Sequence, residues 1–217
     1  MKKTVLYELK KRFWVRERDL GANRVLKKNS MTFTLSAYEI GNLGAMSVIE
    51  MSAMFGLMQM ESFILTASEK DLPLYSGDFI KAAGKCTLLE EFYDTMLTPL
   101  DEESVDRYRE VKARYASLPP YKTEPRWYDD IRYDFTLGAT DRSLKKRKEE
   151  ITADYLAAYL ANADSAPACD PAIKKAKTKA YVDGLFTNGG PAVNQFKKLF
   201  GEEKSREIFE GIVFSCK

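Results

Sequence analysis

From Met31 the chain alternates, with Met31, Phe33 and Leu35 set against Thr32, Thr34 and Ser36, and this period of two predicts a strand. Four more β-like runs follow near 45–54, 57–67, 72–81 and 85–93. The separators Gly41-Asn42-Leu43-Gly44, Phe55-Gly56, Ser68-Glu69-Lys70-Asp71 and Ala82-Ala83-Gly84 are too short for a crossover helix. Consecutive strands are therefore expected to pair antiparallel, as a meander. Outside this block the apolar period lengthens. Leu6, Leu9, Phe13 and Leu20 fit a basic amphipathic helix over the first twenty residues. Thr98-Pro99-Leu100-Asp101 marks the start of a helix carrying Val105, Tyr108, Val111 and Tyr115, which Leu118-Pro119-Pro120 stops. Ile131, Tyr133, Phe135 and Leu137 alternate and suggest one more strand within 126–138. Ser143 to Asn162 reads as a long helix, 164–171 as a loop and 172–186 as a helix. After the Asn188-Gly189-Gly190-Pro191 break come helical segments 191–200 and 202–213. No repeat or linker interrupts the pattern, so residues 1–217 are expected to form a single domain, with helices packed on an antiparallel sheet.

Composition narrows the chemistry through one absence. None of the 217 residues is histidine, which excludes Ser-His-Asp and Cys-His nucleophile systems and histidine metal sites. Acid–base work near neutral pH then falls to carboxylates, Tyr, Lys or Cys with shifted pKa values. Cys86, Cys169 and Cys216 are far apart and odd in number, as free thiols of a reducing compartment are. No apolar run reaches the ~18 residues of a membrane span, and the start Met1-Lys2-Lys3 lacks a signal peptide's apolar core. A cytoplasmic protein without membrane or nucleic-acid partners is expected. The net charge is +2, although Lys and Arg crowd residues 1–28.

The turns also predict registers. If Phe55-Gly56 is a two-residue hairpin loop, Glu50 lies opposite Glu61. If the next loop is centred on Glu69-Lys70, Glu61 lies opposite Asp78. Glu50, Glu61 and Asp78 would then stand abreast on one face, with neighbouring Cβ atoms roughly 5 Å apart. A slip of one residue in either loop would send a side chain to the other face. The predicted row shares its face with Met46, Val48, Met54, Leu57, Phe63, Leu65, Leu74 and Ile80. Close carboxylates in apolar surroundings hold a proton to higher pH, through desolvation and mutual repulsion. That would make a proton donor without histidine. The same pattern also fits ordinary acids on a sheet rim. A Mg²⁺ or Mn²⁺ site would want further interleaved acids, which this stretch lacks.

The stretch Leu72-Pro73-Leu74-Tyr75-Ser76-Gly77-Asp78-Phe79-Ile80, followed by Gly84-Lys85 and another β-like run, resembles the ferredoxin-dependent bilin reductases, which include phycocyanobilin:ferredoxin oxidoreductase and red chlorophyll catabolite reductase-like proteins. The C-terminus, with Phe196, Leu199, Phe200-Gly201-Glu202-Glu203, Ile208, Phe209 and Val213-Phe214, is similar to theirs, as is the helix around Tyr155–Leu160. The resemblance spans about 45–95 and 130–214. It implies an α/β fold, a three-layer α/β/α sandwich with a central antiparallel sheet, binding a linear tetrapyrrole between the sheet and the C-terminal helices. It also implies electrons delivered singly by ferredoxin, with no bound flavin, metal or nicotinamide. By position Asp78 matches the family's central aspartate and Glu50 a glutamate on an earlier strand. Glu61 falls where many members have a histidine, so their regiochemistry does not transfer. Asn188 stands near a loop where several members carry a pigment-contacting Asp.

The expected function is reduction of a bilin such as biliverdin, with Asp78, Glu61 and Glu50 supplying protons. The alternative is a non-catalytic tetrapyrrole carrier on the same fold. Met46, Met54, Leu57, Phe63 and Leu74 are expected to line the floor of an apolar slot for a flat ligand. Arg132, Arg142, Lys145, Lys146 and Arg147 are candidate partners for propionates. Basic stretches, including 1–28 and Lys174-Lys175-Lys177-Lys179, could steer an acidic ferredoxin.

Overall fold

A computed structural model describes residues 1–217. The alternating runs form β3 (Met31–Ile40), β4 (Gly44–Ala53), β5 (Met58–Ala67), β6 (Leu74–Ala82) and β7 (Lys85–Tyr93), paired antiparallel in chain order. Two short strands, β1 (Val15–Glu17) and β2 (Val25–Lys28), share the outer edge of β3. β8 (Leu137–Thr140) closes the other edge against β7. The meander follows from its turns: Ala83 and Gly84, with φ of 49° and 76°, make the tight two-residue link between β6 and β7.

Helices cover both faces. α1 (Lys2–Arg12), α2 (Glu102–Arg114) and α3 (Leu144–Ser165) lie on one; α4 (Pro171–Asn188), α5 (Pro191–Phe200) and α6 (Glu202–Ile208) lie on the other. This is the three-layer sandwich. The start signals act as expected: Asp101 accepts from Ser104 N at 2.8 Å to cap α2, and Asp170 accepts from Ala172 N at 2.7 Å ahead of Pro171 to cap α4. Under α3 the core is aromatic, with Tyr75 stacked on Phe92 at 4.3 Å and Tyr108, Tyr155 and Tyr159 fully buried around them.

Two elements differ from the sequence expectation. The first helix ends at Arg12 rather than near residue 20, because Phe13 turns extended and Val15–Glu17 is captured by the free edge of β3. Within 126–138 only Leu137 and Gly138 join a strand. Trp127–Ile131 is a 3₁₀ turn held by the bond from Arg126 N to Asp129, and the alternation of Tyr133 and Phe135 reflects rings stacked at 4.9 Å along the sheet edge. No helix is long and apolar enough to cross a membrane.

Candidate functional site

Glu50 does lie opposite Glu61. Four residues rather than two form that turn, but their number is still even, so the pairing is unchanged. The second register is corrected. Glu61 pairs with Phe79, and Asp78 pairs with Ser62. The β5–β6 loop is centred on Lys70, not between Glu69 and Lys70, because its residues are drawn out by the chain beside α4. Asp71 N donates to Pro167 O at 2.9 Å, Cys169 N to Glu69 O at 3.2 Å and Lys70 Nζ to Ala163 O at 2.8 Å. An odd centre moves β6 by one residue. The row of three acids is therefore split, with Glu50 and Glu61 facing α1 and α3 and Asp78 facing the C-terminal helices.

The two groups sit in opposite electrostatic settings. Glu61 accepts from Lys148 Nζ at 2.6 Å and Lys2 N at 2.7 Å, and lies 2.9 Å from the Met1 ammonium. Burial opposes its charge, yet these cations and donors hold its carboxyl down at about 2. It stores no proton near neutral pH. Glu50 is 3.8 Å from Lys2 Nζ and half exposed. The hollows beside these two acids, about 340 and 360 Å³, are lined chiefly by polar and charged groups, unlike a slot for a flat apolar ligand.

The expected slot floor is dispersed in the same way. Met46 and Phe63 are closed into the core under α1 and α3, and Leu74 is buried on the opposite face. Met54 and Leu57 stand exposed in the β4–β5 turn, and Asn188 is exposed at the end of α4. Of the candidate cations, Arg132 meets Glu91 at 3.2 Å, whereas Arg142, Lys145 and Lys146 are solvent-facing.

Asp78 stands in the middle of the sheet, between Ser62 on β5 and Leu89 on β7. Burial pushes its carboxyl up to about 6; the nearby Glu91 carboxylate adds to the rise, and hydrogen bonds from Ser62 and Ser76 restrain it. Ser76 Oγ is 3.2 Å from Oδ2. Around it Ile49, Met51, Ser62, Ile64, Ser76, Leu89 and Glu91 keep 5–9% of their surface accessible, whereas Leu65, Tyr75, Leu88, Glu90 and Phe92 on the α3 side are at 0%. The sheet centre around Asp78 is thus slightly less tightly covered than the α3-side residues directly behind it. α3 runs close along β7, while no strand has α4 comparably near. Beyond Asp78, Glu91 accepts from Tyr93 OH at 2.8 Å and from Arg132, and the Tyr93 ring stacks on Tyr181 of α4 at 5.0 Å.

A second acid escaped the sequence reading. Glu90 is fully buried on the α3 side, with Tyr75 OH and Thr152 Oγ1 at 2.7 and 2.6 Å from its oxygens. Burial raises it to about 8, with Asp78 adding through the sheet. Gly77 opposite makes room: a Cβ there would lie 2.1 Å from the Phe63 ring and 3.0 Å from Glu90 Oε2. The available signal was the pair Glu90-Glu91 inside Leu88-Leu89-Glu90-Glu91-Phe92-Tyr93, since adjacent acids in a central strand must point one to each face.

Glu90 sets a pH dependence of folding. Its carboxyl titrates near 4.5 when unfolded and about 8 when folded, so the folded state binds the extra proton between those values. The stabilisation is complete below about pH 4.5 and is lost as pH rises through about 8, at up to about 1.4 kcal/mol per pH unit. Glu90→Gln is expected to flatten the stability curve between pH 6 and 8 in denaturant titrations; below pH 6 the Asp78 contribution, of the same sign, remains.

No family model matches the chain, and no curated protein matches its sequence. Among solved structures, selenomethionine-substituted phytochromobilin synthase from tomato in complex with biliverdin matches with a TM-score of 0.80 at 14% identity, over 99% of this chain and 82% of the other. At that identity the likeness is one of fold, and the fold agrees with the one the motif resemblance implied.

Proposed function

We propose that this chain is a member of the ferredoxin-dependent bilin reductases, that it binds a linear tetrapyrrole between β4–β7 and the C-terminal helices, and that Asp78 protonates the bound pigment as it is reduced. The observation that carries this reading is the position of Asp78. A carboxyl raised to about 6 stands mid-sheet on the face the C-terminal helices cover, where its neighbours are slightly less tightly closed in than those behind it, in a fold matching a synthase bound to biliverdin. Reduction of one double bond takes two electrons and two protons. Ferredoxin supplies the electrons singly. Asp78 gives a proton to the pigment after an electron has arrived, and is reprotonated from water before it gives the next. Ser62 and Ser76 orient the carboxyl, and the Glu91 charge, by disfavouring a second negative charge beside it, helps burial keep a proton on Asp78 toward neutral pH. Glu61 and Glu50 have no proton role in this scheme.

Adding biliverdin to the full chain is expected to shift and sharpen the pigment's visible bands, since a closed slot fixes one conformer of a flexible chain. Unperturbed spectra with every open-chain tetrapyrrole tried would overturn the proposal. Band shifts without bleaching by reduced ferredoxin would overturn its catalytic half.

A further inference from the structure

The hairpin tips at one end of the sheet form a surface that neither core uses. In the β4–β5 turn Phe55 is entirely exposed, Leu57 is 68% exposed and Met54 57% exposed. This is no slack loop. Met54, Phe55 and Gly56 take φ of 51°, 55° and 85° in succession, and left-handed backbone is unfavourable for two bulky side chains. The turn thus holds three large apolar groups out in water, on a strained backbone, with no partner inside the chain. Such arrangements cluster where the strain serves a contact.

Cations flank this tip on both sides. Pairing sets their places. Ala53, where the turn begins, pairs with Met31, and Met31 with Lys28; Gln59, just past the turn, pairs with Lys81, and Lys85 follows across the next tip. Lys27, Lys28 and Lys85 are exposed and Lys81 is partly so. At about 4.8 Å between strands, these lysines lie within two strands of the apolar apex and slightly behind it. The acids near this end are engaged elsewhere: Asp141 accepts from Ser143 N at 2.7 Å, and Glu61 and Glu50 are set back and paired with amines.

We infer that this end of the sheet rests on an anionic lipid bilayer, with Met54, Phe55 and Leu57 entering the interface and Lys27, Lys28, Lys81 and Lys85 meeting the headgroups. A convex apolar apex inside a cationic collar suits a deformable lipid surface, whereas a protein partner would need a matching pocket. Apolar insertion and charge together provide the two signals that reversible membrane binding requires. The contact is peripheral and spans nothing. It does not depend on the proposed bilin chemistry.

Sedimentation of the full chain with vesicles tests it. The chain is expected to pellet with vesicles of phosphatidylcholine and phosphatidylserine, and to partition about tenfold or more weakly onto phosphatidylcholine alone. Phe55→Ser/Leu57→Ser should lower partition by about tenfold or more. Lys27→Gln/Lys28→Gln/Lys81→Gln/Lys85→Gln should do so by about a hundredfold, only on the anionic vesicles. Phe55→Trp supplies a gain of signal that does not rely on a loss: its emission should move to shorter wavelength when anionic vesicles are added. A chain that stays in the supernatant with both vesicle types, or tip variants that pellet like the parent, would overturn the inference. So would self-association, or capture of an acidic electron-transfer protein, through Phe55 and Leu57 with no vesicle binding.

Discussion

Asp78→Asn is expected to cut bilin reduction by about 10²–10⁴-fold while changing bilin affinity only a few-fold. The amide keeps the size of the carboxyl and can still bond to Ser62 and Ser76, but it cannot give up a proton. The pH profile separates this role from a structural one. The competent form is the protonated acid, so turnover by the parent chain should fall as pH rises through about 6. Bound pigment removes more water from the carboxyl and should move that limb upward in kcat. The variant should show no such limb. Stability should move the other way. An acid whose folded pKa lies above its ordinary 3.8 is held charged at a disadvantage at pH 7, so Asp78→Asn is expected to raise the Tm at neutral pH. Retained turnover in Asp78→Asn, measured with biliverdin and reduced ferredoxin, would remove Asp78 from the chemistry.

The contrast between Glu61 and Asp78 shows what in this fold could be read locally. Strand existence, the meander and the Glu50–Glu61 pairing all follow from periodicity and from a turn whose length has fixed parity. The face of Asp78 does not. It depends on a loop whose centre is displaced by bonds to residues 163–169, nearly a hundred positions away, and no local pattern records them. The state of Glu61 was equally hidden, because it is set by the Met1 ammonium and by Lys148. Glu90 was legible in principle from two adjacent acids in an apolar strand. Its raised pKa was not, since that needs the closure of α3 over it. The absence of histidine thus directed attention to carboxyls with raised pKa values, which Asp78 and Glu90 have, but the row it grouped them in is not the one the sheet forms.

The same displaced loop carries the largest expected loss of stability. Asp71→Ala should cost about 3–5 kcal/mol in denaturant unfolding. Asp71 accepts from Leu97 N and Thr98 N, both at 2.9 Å, from Thr98 Oγ1 at 2.8 Å and from Lys174 Nζ at 2.9 Å. Lys174 is fully buried and has only Thr95 O, at 2.7 Å, as a further acceptor. Removing the carboxylate leaves an ammonium without counter-charge and two amides without acceptors, each a separate penalty. Lys174→Met should cost less, because Asp71 keeps its three other donors. Asp71→Ala/Lys174→Met should recover part of the single-variant loss, since the unpaired charge is then gone. Asp71 therefore ties the start of α4 and the 95–98 segment to the β5–β6 loop, and that loop sets the register that turns Asp78 toward α4. Asp71→Ala is accordingly expected to weaken the biliverdin spectral response even under conditions where circular dichroism shows the chain still folded. A fully stable Asp71→Ala with an unchanged pigment spectrum would show that the register of β6 is held by the strands alone.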